Sequence, residues 1–171
     1  MKRHDLFPTP LWHIEGTPQV LVDELYQGAY KHKEKYKSVT KSNQGGYQSP
    51  TFDWKKFQPQ GIEYIDKVVG DMFKFKVGSW WYNINGKDHW NAPHTHAGFD
   101  LALVLYVTDS DGLLRLMNPQ QMRLDVDYDA YISINAKKGD MLIFPSDLLH
   151  YVMPNQKEED RISISMNLQL C

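Results

Sequence analysis

The sequence predicts an α+β protein, two N-terminal helices followed by a β part built as a jelly-roll or barrel. Apolar residues recur at helical spacing in two early segments. Beyond Phe73 they fall instead into short runs separated by turn signals, and helices followed by many short strands describe an α+β chain. Five tryptophans and ten tyrosines in 171 residues also suit strands better than a helix bundle.

The first element is an extended edge strand, Leu6-Phe7-Pro8-Thr9-Pro10-Leu11-Trp12-His13-Ile14, because its prolines cannot donate to a central ladder. Thr17-Pro18 reads as a helix N-cap followed by proline at the first helical position, and Leu21, Leu25 and Ala29 carry the apolar stripe to about Tyr36. Residues 38–50 are polar and contain Asn43-Gln44-Gly45-Gly46, which predicts a loop and a candidate lid. A second helix is expected over 59–72, with Ile62, Ile65, Val69 and Met72 on one side.

Strands follow at 75–84, 101–108, 113–117, 130–135, 141–144 and 161–170. They are punctuated by Asn85-Gly86, Asp111-Gly112, Asn118-Pro119, Lys138-Gly139-Asp140 and Pro154-Asn155. An immunoglobulin-type sandwich competes, but it offers no reason for histidines at strand ends. The length suits one domain, residues 1–73 forming its N-terminal strand and helices and 74–171 its β core.

Bulk properties narrow the function. Nineteen basic and 21 acidic side chains leave a net charge of −2, so no electrostatic field points to nucleic acid or an anionic membrane. No apolar run approaches the ~20 residues of a membrane span, and Met1-Lys2-Arg3-His4-Asp5 leads into no signal core, so a cytoplasmic protein is expected. The single cysteine, Cys171, is the last residue; any metal site must therefore be built from histidine and carboxylate. The edge-like first strand leaves pairing into a homodimer open.

The chemistry is concentrated in His94-Thr95-His96, the distant His150 and Arg161-Ile162-Ser163. Three imidazoles suffice to hold a divalent transition metal, and arginine offers a planar fork to a carboxylate. His94 and His96 are two apart, so an extended backbone projects both to one face. His150 follows the buried run Met141-Leu142-Ile143-Phe144-Pro145. The last strand alternates strictly: Ile162, Ile164, Met166, Leu168 and Leu170 face one way, Arg161, Ser163, Ser165, Asn167 and Gln169 the other. Its polar face either meets water or looks into the barrel, and the alternation alone does not choose. Asn83 and Asn85, on the strand entering this region, are candidates to hydrogen-bond a co-substrate, although asparagines at strand ends also serve turns. His4, His13 and His32 fit surface or packing positions, and His89 fits the polar turn Lys87-Asp88-His89-Trp90.

From Trp80 to Asn167 these residues match a pattern of histidine-x-acid, a distant histidine, then arginine-x-serine. In this the chain resembles the Fe(II)- and 2-oxoglutarate-dependent oxygenases. More narrowly it resembles an oxygenase subgroup of marine bacteria and cyanophages, in the segments Phe7-Pro8-Thr9-Pro10-Leu11-Trp12, Trp81-Tyr82-Asn83-Ile84-Asn85, Pro93-His94-Thr95-His96, Leu105-Tyr106-Val107 and Phe144-Pro145-Ser146. The resemblance implies a double-stranded β-helix, and host cytoplasm if the gene is carried by a phage. It implies His94 and His150 as iron ligands, and Arg161 with Ser163 as the clamp on 2-oxoglutarate. It also places Tyr106 where relatives of the prolyl hydroxylase type donate to the far carboxylate; read alone, Tyr106 is a buried strand aromatic.

One departure stands out. His96 occupies the acid's position, leaving the iron site at about +2 rather than +1. Asp100 is a candidate substitute carboxylate, but its facing is wrong unless the chain turns at Ala97-Gly98, so His94, His96 and His150 are the expected ligands. The resemblance implies dioxygen as co-substrate, with oxidative decarboxylation of 2-oxoglutarate coupled to hydroxylation of an unidentified prime substrate. Two rivals remain: a cupin-type three-histidine metal dioxygenase that does not use 2-oxoglutarate, and a non-enzymatic jelly-roll binding module.

Overall fold

The computed structural model describes residues 8–52, 62–119 and 130–171. Its elements are β1 (Trp12–Ile14), α1 (Gln19–Lys35), β2 (Asn43–Gln44), β3 (Tyr47–Gln48), α2 (Ile62–Gly70), β4 (Phe75–Asn85), β5 (Trp90–His94) and β6 (Leu101–Tyr106). They continue with β7 (Leu114–Met117), β8 (Tyr131–Ser133), β9 (Met141–Pro145), β10 (His150–Val152) and β11 (Arg161–Leu170). The strands form two antiparallel sheets, in the orders β1-β9-β6-β11-β4-β3 and β2-β5-β10-β7-β8.

The larger sheet separates two interiors. Ile162, Ile164, Met166 and Leu168 of β11 join Trp80, Tyr82 and Ile84 of β4, and Leu103 and Leu105 of β6, in a core under the helices. Leu21, Val22, Leu25 and Ala29 of α1 and Ile65 and Val69 of α2 cover it. The opposite face carries Ala102, Tyr106, Leu142 and Phe144, which meet Leu114 and Leu116 of the smaller sheet. The polar side of β11 therefore looks into the space between the sheets, so the alternation left open by the sequence is resolved inward.

The helix and strand expectations hold with corrections. β1 does lie at a sheet edge, against β9, but it begins only at Trp12, with residues 8–11 outside the strand; Leu6 and Phe7 lie outside the described residues, as do 59–61 at the expected start of the second helix. Pro18, not Thr17, occupies the N-cap of α1, and the Thr17 hydroxyl is buried without a partner in the described structure. Extended dihedrals at Pro18 move the helix start one residue on. Met72 lies beyond α2 and is exposed, because the helix ends at Gly70. The 101–108 and 130–135 strands are shorter than expected, ending at Tyr106 and spanning Tyr131–Ser133.

The 38–50 segment is not a free loop. It folds into β2 and β3, one paired with β5 in the smaller sheet and the other with β4 in the larger. This strap turns at Gly45, whose φ of 77° suits glycine. β5 and β10 were not anticipated. Both are short and carry polar or ring side chains rather than an alternating apolar pattern, so periodicity passes over them.

Candidate metal centre

Antiparallel pairing of two short strands builds the centre. His94, at the end of β5, is the direct cross-strand partner of His150, at the start of β10. Their ring centroids are 4.3 Å apart. His96 lies outside the strand, in the turn that follows; its backbone N–H donates to the Ser146 carbonyl at 2.7 Å and so ties the turn to the end of β9. The convergence of His94 with His96 thus comes from a strand end plus a tethered turn, not from one extended face. One nitrogen from each of the three rings lies within 4.8 Å of the others.

Each ring is fixed by an acceptor on its far nitrogen. His94 Nδ1 donates to the Ala92 carbonyl and His150 Nδ1 to the Leu148 carbonyl, both at 2.8 Å. His96 Nδ1 donates to Asn167 Oδ1 at 2.5 Å. Carbonyls only accept, so these contacts put the proton on Nδ1 and leave a lone pair on each Nε2. The Nε2 atoms of His96 and His150 are 3.2 Å apart. Two nitrogens held about 2.1 Å from a shared cation stand about 3.0 Å apart at right angles and about 3.4 Å apart at the tetrahedral angle. Facing lone pairs at this distance repel unless a cation takes them, so the donor set fits a divalent transition metal.

Burial keeps the rings neutral. It lowers the pKa of His94, against the opposing Ala92 hydrogen bond, and that of His96, against the Asn167 bond. His150 falls furthest, to about 3, through burial and then the neighbouring His94. Trp81 stacks on His96 with centroids 5.6 Å apart, and Phe144 meets His150 edge-on at 4.9 Å.

The rings border a cavity of 630 Å³ between the sheets, which Arg161, Ser163, Tyr106, Asn83 and Asn85 also line. Ser163 on β11 lies directly between Tyr106 on β6 and Asn83 on β4. Arg161 is 7% exposed. Its Nη1 reaches the Met153 carbonyl at 3.5 Å, and among the described residues it joins no ion pair. Burial lowers its pKa to about 10, opposed by Tyr106 and Asp111, so it remains a cation at neutral pH. Burial raises the Tyr106 pKa and keeps the phenol protonated.

The remaining candidates separate. Asn83 Nδ2 donates to Ser165 Oγ at 3.0 Å. Asn85 Nδ2 donates to Asn91 Oδ1 at 2.8 Å, and Asn91 Nδ2 to Ser42 Oγ at 3.2 Å, a network that ends 3.5 Å from His94 Nε2. Asp100 is not a ligand: its carboxylate accepts from the Leu170 N–H at 2.8 Å and from Gln169 Nε2, away from the rings. His89 stays in its turn, accepting from the Gly86 N–H at 3.1 Å. Elsewhere His13, Glu15 and Asp140 also cluster, but Asp140 already accepts from His13 and from the Lys137 N–H. Asn167, Trp81, Ser42 and Gln48 went unrecognised as site residues in the sequence. Asn167 had a signal, its place on the polar face of the last strand.

A family model described as "Putative 2OG-Fe(II) oxygenase" matches residues 79–167, the span that holds all three histidines, Arg161 and Ser163. No curated protein sequence matches the chain. Solved structures share its fold at low identity. HygX from Streptomyces hygroscopicus, crystallised with nickel and 2-oxoglutarate, gives a TM-score of 0.69 at 12% identity, over 95% of this chain and 83% of that one. A prolyl-4-hydroxylase of Pseudomonas putida gives 0.70 at 13%, over 95% and 94%. The non-heme alpha ketoglutarate dependent epimerase SnoN from nogalamycin biosynthesis gives 0.75 at 13%, over 94% and 78%.

Proposed function

Because the chain belongs to this 2OG-Fe(II) oxygenase family, we propose that His94, His96 and His150 hold its iron and that Arg161, Ser163 and Tyr106 hold the far carboxylate of 2-oxoglutarate. The protein is an Fe(II)- and 2-oxoglutarate-dependent oxygenase, an oxidoreductase. Its two antiparallel sheets are the two walls of a double-stranded β-helix, with α1 and α2 supporting the larger. The proposed reaction converts 2-oxoglutarate, dioxygen and a C–H bond of the prime substrate into succinate, carbon dioxide and the corresponding alcohol.

The observation that carries the reading is Arg161, a buried cation that joins no ion pair among the described residues, in the cavity bordered by three neutral imidazoles. A buried guanidinium is costly unless an anion meets it. A carboxylate supplies that anion through two parallel N–H···O bonds, which Ser163 and the protonated Tyr106 supplement from adjacent strands.

Iron held at the three histidines supplies the redox chemistry that couples decarboxylation of the co-substrate to hydroxylation. The chain supplies the rest. Carbonyl acceptors at Ala92 and Leu148 and the amide of Asn167 aim the nitrogen lone pairs. Phe144, Leu114 and Val152 line the cavity with apolar surface and limit water near the co-substrate.

Anaerobic titration of iron(II)-loaded protein with 2-oxoglutarate tests this reading. A weak visible charge-transfer band is expected, absent from the Arg161→Ala/Ser163→Ala double variant at low co-substrate. The three-histidine set also favours a second reading, a cupin-type dioxygenase without 2-oxoglutarate, in which iron binds but the band never forms.

A further inference from the structure

Room and charge remain in the cavity after the co-substrate is placed. Its 630 Å³ falls within the roughly 300–1,000 Å³ of sites for drug-sized ligands. A five-carbon diacid is smaller than those ligands and leaves part of the volume free.

The free part lies toward the strap. Tyr106, Ser163, Asn83 and Gln48 form one row across β6, β11, β4 and β3, each the direct partner of the next. Gln48 is therefore two strand spacings from Ser163, roughly 10 Å, too far to share a small carboxylate with it. Tyr47 turns to the helix side, where its hydroxyl donates to the His32 carbonyl, so Gln48 faces the cavity. Gln48 is 5% exposed, yet its carboxamide makes no hydrogen bond among the described residues. A buried amide with donor and acceptor both open to a cavity is built for a ligand.

The strap also brings a charge. Lys41, an exposed residue, borders the cavity on its solvent side, and its backbone N–H is fixed by Asn43 Oδ1 at 2.8 Å. Asn43 in turn donates to the Gly46 carbonyl at 2.9 Å. Next to Lys41, the Ser42 carbonyl accepts from the Ala92 N–H, which holds the strap beside His94. Lys41 joins no ion pair among the described residues, and no Asp or Glu is among the described lining residues.

From this we infer that the prime substrate is a small anion whose charged oxygens meet Lys41 and whose polar body hydrogen-bonds Gln48. The inference rests on the metal-centre reading above and deepens it. A divalent ion with three neutral ligands, a dianionic co-substrate, Arg161 and Lys41 together leave the cavity net positive. A cationic substrate is repelled there, and a neutral one gains nothing from the Lys41 charge, whereas an anion is attracted to it. A carboxylic ligand of histidine-x-acid type would have removed part of this excess; His96 does not.

Calorimetry on the nickel(II)- and 2-oxoglutarate-loaded protein tests the inference with short hydroxy acids and N-acetylated amino acids, which are anions at neutral pH, each beside its neutral primary amide. At least one acid is expected to bind about tenfold or more tighter than its amide. Lys41→Glu should erase that preference, and Gln48→Leu should weaken the acid and the amide alike, both at unchanged melting temperature. Acids and amides binding equally, amides binding better, or no acid binding the loaded protein would each overturn the inference. Failure of 2-oxoglutarate to bind the nickel-loaded protein would overturn the co-substrate reading instead, so the two failures are distinct.

Discussion

Asn167 Oδ1 lies 2.5 Å from His96 Nδ1, and its amide nitrogen donates to Ser79 Oγ at 3.0 Å, so a neutral carboxamide orients the histidine that stands at the family pattern's acid position. The amide fixes the ring's tautomer without adding charge. Asn167→Leu is expected to weaken metal affinity roughly 10–100-fold, the range for lost outer partners of metal-bound histidines. Asn167→Asp keeps an acceptor and should retain most of the affinity. Competition against a chromophoric chelator measures both.

Removing a ligand should cost more than removing its support. His150→Ala is expected to reduce metal affinity beyond the ~100-fold limit of outer-partner losses, with the sheets intact by circular dichroism. Metal uptake close to wild type in this variant would remove His150 from the site.

Arg161 gives a prediction of opposite signs. Without co-substrate it is a buried cation that joins no ion pair among the described residues, so Arg161→Met should leave the metal-free protein as stable or more stable. With 2-oxoglutarate the same variant loses charge-assisted hydrogen bonds of about 1.5–3 kcal/mol, or roughly 10–150-fold in affinity. Thermal melts with and without co-substrate separate the two effects.

The pH dependence of metal uptake follows from the depressed pKa values. A histidine whose folded pKa lies below its usual 6.5 stays unprotonated as pH falls through 6.5, so proton competition at His94, His96 and His150 begins only at lower pH. Metal binding near neutral pH should release almost no protons, as measured by calorimetry in buffers of different ionisation enthalpy. For the metal-free fold the sign is reversed: the unfolded chain takes up these protons first, so stability falls as pH drops below about 6.5.

His32 provides a control away from the site. Its ring packs among Tyr36, Phe52, Trp80 and Tyr82, its Nδ1 is buried without a partner in the described structure, and burial lowers its pKa. His32→Phe should keep the ring packing, remove a polar atom worth about 1–3 kcal/mol when unsatisfied, and reduce the acid sensitivity of the metal-loaded protein. Urea unfolding at neutral and mildly acidic pH checks both.

The residues that determine the sheet's inner and outer faces were legible as pattern. Strict alternation from Arg161 to Leu170 specifies a strand with two unlike faces, and the stripe of Leu21, Leu25 and Ala29 specifies a helix that needs a cover. The candidate donors were legible as well, because imidazole, guanidinium and hydroxyl groups keep their donor properties wherever the chain carries them. Invisible in one dimension were the strands β5 and β10. Their residues, such as Pro93 and His150, do not advertise a strand, and pairing with each other and with β7 determines their conformation.

By itself the sequence determined the helix and strand faces and the identity of the donors at residues 94, 96, 150, 161 and 163, since these follow from side-chain chemistry and local period. Only the tertiary structure decided that the polar face of β11 turns inward, that the 38–50 segment is a strap joined to both sheets, and that Asn167 rather than an acid completes the His96 contact. The physical reason is that such choices depend on contacts between residues far apart in the chain, where the free energy of burying one face against a second layer outweighs any local preference.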